Sequence, residues 1–251
     1  LLSITIFLLP IIFCFNYKIS SKIFIFCFGL ILVIINFSYG NLKIKNFEKK
    51  KYDHLNSIIR VVSPNIPIER FLTNQDVEKS IYELITLSDP NKNEKKIFIF
   101  PEGIITSIYL KDLKFFKDIF KENYNINHKI ILGINSINQN KIYNSLIVLN
   151  NQSEILYKYN KNKLVPFGEF LPFENFLKRT GLKKITQGYQ SFSPDNKREV
   201  LEIDKLKFIP LICYEIIYSG KINPNKNYYD FILNISEDGW FGNSIGPAQH
   251  L

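Results

Sequence analysis

Three short segments carry side chains able to move protons and attack a carbon centre. The first is FIFPEG, in which Glu102 follows Pro101 just past an apolar run. A carboxylate at the end of a buried strand, partly screened from water, can serve as a general base or acid. The second is YNKNKLVPFGEFLP, which holds Lys161, Lys163 and Glu169. A lysine kept charged by a nearby carboxylate can stabilise an oxyanion. The third is PLICYE, where Cys213 ends an apolar run and Glu215 follows two residues on. A cysteine becomes a nucleophile when a base and a cation lie beside it. Each residue also has an ordinary reading: a helix cap for Glu102, a solvated side chain for Lys161, an inert core thiol for Cys213.

Chemistry of this kind needs elements that bring distant residues to one place. IIRVVS (58–63) reads as a buried strand, and KIFIF (96–100) and KIILGI (129–134) as two more. Residues 75–88 have helical spacing, with Val77, Ile81, Leu84 and Ile85 on one face. LKFFKDIF (113–120) reads as a second helix. IYNSLIVL and EILYKYN flank Asn150–Ser153, a hairpin signal, and LKFIPLIC (206–213) and YDFILNIS (229–236) complete the strands. Continuous apolar runs alternating with helices predict an α/β fold, with sheets covered by helices. All three reactive segments then fall at strand ends.

Composition narrows the class. The chain has 251 residues, of which 46% are hydrophobic and 22% charged, which excludes a disordered or collagen-like protein. Three widely spaced cysteines exclude a disulfide framework and a cysteine zinc site. The formal net charge is +9, but the lysines are scattered among Asn, Ile, Tyr and Phe, so a nucleic-acid surface is not expected. His54, His128 and His250 have no sequence neighbours that suggest catalysis and read as structural.

The N-terminus is different in character. Residues 1–17 and 23–42 contain no charged side chain. The second run has the length to cross a ~30 Å hydrocarbon core as a helix. We read 1–42 as two transmembrane helices joined by a loop at Lys18–Lys22, with Cys14 and Cys27 inert within them. Residues 43–57 form a Lys/Asn-rich linker, and 58–251 a soluble α/β domain. Lys43, Lys45, Lys49, Lys50 and Lys51 would by a local positive-inside count place that domain in the cytoplasm. The segment FLPFENFL (170–177) is either a membrane-facing arm or a cap on the domain's own core.

Glu102, Lys161 and Cys213, in that order and each at a strand end, resemble the nitrilase (carbon–nitrogen hydrolase) superfamily. The resemblance is closest to one branch, the bacterial apolipoprotein N-acyltransferases, in YNKNKLVPFGEFLP, ICYE and WFGNSIGPAQH and in the apolar runs preceding the domain. It implies a nitrilase-like α-β-β-α sandwich, incomplete at its C-terminus and preceded by the end of a larger membrane bundle. It implies Glu102 as general base, Cys213 as nucleophile, and Lys161, rather than Lys163, as the lysine, because it follows Tyr-Asn eight positions before Glu169. Glu169 and Glu215 match further glutamates around the cysteine. Tyr214 would offer a backbone N–H to the oxyanion, and Trp240 lies in a segment near the site. Two departures stand out: Glu237-Asp238 where the branch usually has Asn-Asp, and SPNIP after the first strand, where a Gln is more usual.

The implied activity is acyl transfer from a phospholipid, through a cysteine thioester, to the N-terminal amine of a diacylglyceryl apolipoprotein. No metal or organic cofactor is implied. The implied setting is the bacterial inner membrane, with a multi-pass monomer whose catalytic domain faces the periplasm, against the local lysine count. With no methionine anywhere and motifs that stop at Leu251, the sequence reads as an internal piece of a longer chain. The alternatives are a membrane-tethered amidase or hydrolase of the same fold and a catalytically dead, membrane-anchored binding protein.

Overall fold

A computed structural model describes residues 18–48, 57–64, 76–170, 172, 191–223, 225 and 227–241. The chain divides into two units, Leu1–Leu55 and Asn56–Leu251.

In the first unit, helix α1 spans Ile19–Glu48. The expected loop at Lys18–Lys22 is instead the first turn of this helix: the N–H groups of Ser21 and Lys22 donate to the carbonyl of Lys18 at 3.0 and 3.2 Å. The helix also continues past Leu42 to Glu48, since Lys43, Lys45 and their neighbours are competent helix formers. Ile19–Asn46 is apolar and long enough to cross a membrane. Its Phe, Ile and Leu side chains are largely exposed, as a lipid-facing helix requires. The expected helix over 1–17 lies outside the described residues, as do His54, His250 and most of 170–177.

The second unit holds two sheets. In the first, β1 (Ile58–Val61), β2 (Lys96–Ile99) and β3 (Lys129–Asn138) run parallel, and β4 (Lys141–Leu149) and β5 (Ile155–Asn160) continue antiparallel. Their spatial order follows the chain. The second sheet has β6 (Leu201–Ile203) antiparallel to β7 (Leu206–Ile212), which pairs parallel with β8 (Phe231–Ile235).

One face of the five-stranded sheet is covered by helix α2 (Val77–Ser88), a 3-10 segment at Leu110–Phe116 and helix α3 (Lys117–Asn123). Ile81, Leu84 and Ile85 of α2 are buried there with Phe98, Ile130, Leu132 and Ile147, as the helical spacing predicts. Asp76 caps α2 by accepting from the Lys79 N–H at 3.2 Å. The opposite face packs on the second sheet, where Ile97, Ile99, Ile131, Leu146 and Val148 meet Leu201, Phe208, Ile212, Leu233 and Ile235. These residues alternate along the strands with those of the helical face, which is why the strands read as continuous apolar runs.

Two expectations need correction. Strand β1 is not buried: Ile58 and Val61 are exposed, because β1 is the outer member of the strand order among the described residues. The helix expected at 113–120 is split, with a 3-10 turn feeding a short α-helix. Two hairpins have no Asn-Gly or Asp-Gly signal. Gln139-Asn140 joins β3 to β4 and Asp204-Lys205 joins β6 to β7, with all four residues at positive φ.

Candidate active site

Glu102 lies in the segment that leaves β2 and continues beside β3. Gly133 of β3 donates its N–H to Pro101 O at 3.1 Å and accepts from the Ile104 N–H at 3.2 Å. The approach is close. A Cβ at Gly133 would stand 2.5 Å from the Glu102 Cα and 2.6 Å from the Gly103 N, so only glycine lets the two backbones meet.

Lys161 follows β5 directly. Its N–H donates to Asn144 O of β4 at 2.8 Å, and its carbonyl accepts from the Asp195 N–H at 3.1 Å. The side chain is buried, with Nζ 3.2 Å from Glu102 Oε1 and 3.0 Å from Glu169 Oε1. Burial opposes the charge on this ammonium. Glu102, Glu169 and the field of Cys213 oppose that effect more strongly, and its pKa lies above the ordinary lysine value.

Asn144 completes the cluster. Its Nδ2 donates to Glu102 Oε1 at 2.6 Å and to Glu169 Oε1 at 3.0 Å, while its Oδ1 is buried without a partner among the described residues. Glu169 is saturated, since its other oxygen accepts from the Val165 N–H at 2.9 Å. Glu102 is not: among the described residues its Oε2 has no donor, so one lone pair remains for a proton.

Cys213 stands at the turn where β7 gives way to a 3-10 segment, Cys213–Ile217. Its φ is 53°, an uncommon conformation for a side-chain-bearing residue and one that turns the chain sharply at the strand end. Asn234 Nδ2 of β8 donates to its carbonyl at 3.2 Å. Burial pushes the thiol pKa up to about 11 and Glu102 pushes in the same direction, against the pull of Lys161 and a hydrogen bond with Ser236. At neutral pH the group is therefore a thiol, and it could attack a carbon centre only with a base beside it to take its proton.

Glu215 is fully buried beneath this turn. It accepts from the Ile212 N–H at 3.0 Å, the Asn162 and Lys163 N–H groups at 2.9 and 3.0 Å, the Tyr159 hydroxyl at 2.8–2.9 Å and Arg198 Nη2 at 2.5 Å. It joins the lysine segment to the cysteine turn.

The structure thus brings Glu102, Lys161 and Glu169 into direct contact, with Cys213 in their field and Glu215 below. Lys163 Nζ is not in the cluster; this residue contributes its backbone N–H to Glu215. The Tyr214 ring is partly exposed, edge-on to Tyr218 at 6.0 Å. Trp240 lies in the 3-10 turn Asp238–Phe241, and its side chain is outside the described residues. Glu237 caps that turn, accepting from the Gly239 N–H at 2.8 Å. Its carboxyl pKa is raised by burial and by the nearby charges of Glu102 and Asp238, against the pull of that N–H.

Sequence reasoning missed Asn144, Gly133, Tyr159, Arg198 and Ser236. Asn144 carried a signal, a polar residue inside the apolar strand IYNSLIVL that must find a buried partner. Arg198 carried none, lying in irregular chain with no neighbouring residue that announces a buried partner.

Residues 73–251 match the family described as carbon-nitrogen hydrolase. A protein named apolipoprotein N-acyltransferase from Wigglesworthia glossinidia brevipalpis is 34% identical over 77% of this chain and 40% of its own length. Another of that name, from Agrobacterium fabrum, is 30% identical over 88% of this chain and 43% of its own. The chain therefore spans less than half the length of these relatives. Among solved structures, the glutamine-dependent NAD+ synthetase of Acinetobacter baumannii is similar over 76% of this chain and 34% of that one, at 20% identity and a TM-score of 0.46. With most of its second unit matched, this chain belongs to the carbon-nitrogen hydrolase family.

Proposed function

We propose that the protein is an apolipoprotein N-acyltransferase, moving a fatty acyl chain from a phospholipid to a lipoprotein amine by way of a thioester on Cys213. The observation that carries this reading is the buried cluster of Glu102, Lys161 and Glu169 beside a cysteine at a left-handed turn. The two relatives that bear the enzyme's name support it. So does α1, because both substrates carry acyl chains that cost ~0.8 kcal/mol per methylene to expose to water.

Glu102 Oε2 takes the proton from Cys213 Sγ as the sulfur attacks the ester carbonyl. Lys161 Nζ and the Tyr214 backbone N–H stabilise the oxyanion that forms. Collapse breaks the ester C–O bond, and Glu102 returns its proton to the departing lysophospholipid oxygen. The α-amino group of the diacylglyceryl cysteine then attacks the thioester, with Glu102 accepting the amine proton. Expulsion of the sulfur and its reprotonation by Glu102 release the N-acylated product. Glu169 and Asn144 fix the orientation of Lys161 and Glu102, which leaves the free oxygen of Glu102 for the proton. In this reading the protein sits in the bacterial inner membrane with the catalytic domain on the periplasmic side.

The test is the full-length protein in phospholipid vesicles with a diacylglyceryl peptide acceptor. N-acylated peptide should form, and should disappear in C213A and E102Q. Release of free fatty acid without acylated peptide would instead identify a hydrolase of the same fold. The absence of both products would identify a binding protein.

A further inference from the structure

We propose that Arg198 is a positioning residue, whose ion pair with Glu215 holds the Lys161-bearing segment and the Cys213-bearing turn in one fixed arrangement. The assignment of reactive roles on which this rests is that of the proposed function; the clamp itself is argued from geometry.

Glu215 is a fully buried carboxylate with donors from several parts of the chain. Its backbone donors, Asn162, Lys163 and Ile212, belong to the two segments that carry Lys161 and Cys213. None of these is charged. The only cation at its oxygens among the described residues is Arg198, itself almost fully buried. A buried carboxylate left without its cation is costly, and the usual response is protonation or local opening. Either would loosen the backbone bonds that Glu215 accepts.

The guanidinium geometry suits the role. Arg198 Nη2 donates to both Glu215 Oε1 and, at 2.9 Å, the Tyr159 hydroxyl, while Nε reaches the same hydroxyl at 3.1 Å. The guanidinium carbon lies 5.7 Å from the centre of the Tyr159 ring. Tyr159 in turn donates to Glu215, so three buried groups close a ring of hydrogen bonds. A planar fork makes these contacts together, where a lysine ammonium could serve only some of them. The backbone leading to Arg198 is tied to the same place. Asn160 Nδ2 donates to Asp195 at 2.7 Å, and the Asn162 amide, oriented to suit its neighbours, donates to the carbonyls of Asn160, Asp195 and Lys197. Arg198 bonds to Tyr159, Glu215 and the Lys221 carbonyl, and to none of Glu102, Lys161 or Cys213. It acts on the chemistry through Glu215.

The test is a double-mutant cycle in the full-length protein with R198M, E215Q and R198M/E215Q, after circular dichroism has confirmed folding. It is read twice: on the alkylation rate of Cys213 by iodoacetamide, which needs no lipid, and on acylation of Cys213 by phospholipid vesicles. We expect R198M and E215Q each to change both rates by roughly tenfold, and the double variant to change them no further, because Arg198 works only through Glu215. Rates for folded R198M within twofold of wild type, or single effects that multiply in the double variant, would overturn the proposal. Should R198M not fold, R198K carries the test: a loss smaller than that of E215Q supports the fork, and wild-type rates overturn it. A wild-type protein that is alkylated but never acylated would sink the acyltransferase reading while leaving the clamp to be judged on alkylation.

Discussion

Cys213 is held as a thiol at neutral pH, and the groups around it pull in opposite directions. Burial and the Glu102 carboxylate raise its pKa, and Lys161 lowers it. Two substitutions separate these effects. E102Q removes a negative charge and should shift the midpoint of the alkylation-against-pH curve down from about 11, whereas K161M should shift it up. A curve unmoved by either change would mean that the three side chains do not share a site. The same E102Q change should lower turnover by roughly 10²–10⁴, the usual range for loss of a general base. Asn144 makes a prediction of another kind. It is the neutral donor between two carboxylates, so N144L should destabilise the fold by about 1.5–3 kcal/mol, measured by urea denaturation. At this scale Glu102, Lys161 and Cys213 could be singled out as candidates in the sequence because each sits in a distinctive run of neighbours. Arg198 could not, because its partners are supplied only by folding, and Asn144 showed only as a polar residue inside an apolar strand.

Among the elements, β3 carries the most demanding contact. It runs beside the Glu102 segment so closely that Gly133 has no room for a methyl group. G133A should push Glu102 away from Lys161 and lower turnover by roughly 100-fold, the order expected for a misplacement near 1 Å. Wild-type turnover in G133A would show that the position of Glu102 is not set there. Where β3 begins, His128 is buried, accepting from the Asn125 N–H at Nδ1 and facing the carbonyls of Asn91 and Glu94 with Nε2. It is neutral with Nε2 protonated, the tautomer these partners require. Burial lowers its pKa, with Lys96 and Lys129 adding to the effect against the two carbonyls. The folded state thus binds fewer protons than the unfolded one below about 6.5. The stabilisation is present above that pH and is lost as pH falls through the folded value. Thermal unfolding from pH 7 to 5 should fall less steeply in H128N than in wild type. Strands β2, β3, β4 and β7 and helix α2 were legible because their apolar spacing matches their burial. The β3–β4 and β6–β7 turns were not, since Gln139-Asn140 and Asp204-Lys205 adopt positive φ without glycine, a choice imposed by strand register.

At the scale of the molecule, two sheets pack face to face and helices cover the outer face of the larger one. The layered α/β fold followed from continuous apolar runs alternating with helical spacing. The extent of α1 did not, because Lys18–Lys22 and the lysines after Leu42 read as loop and linker when hydropathy alone sets the boundaries. The exposed apolar side chains of α1 make a direct prediction: the full-length protein should stay with the membrane pellet through carbonate extraction and leave it only in detergent. Release by carbonate would refute a spanning role for that helix.

The central claim is that Cys213 carries the acyl group, and peptide mass spectrometry on the full-length protein after incubation with phospholipid alone tests it most directly. The account predicts an added fatty-acyl mass on the Cys213 peptide, removed by neutral hydroxylamine as a thioester must be, and missing from C213A and E102Q. An adduct on any other residue, or none in wild type under conditions where an acceptor peptide is still acylated, would contradict it.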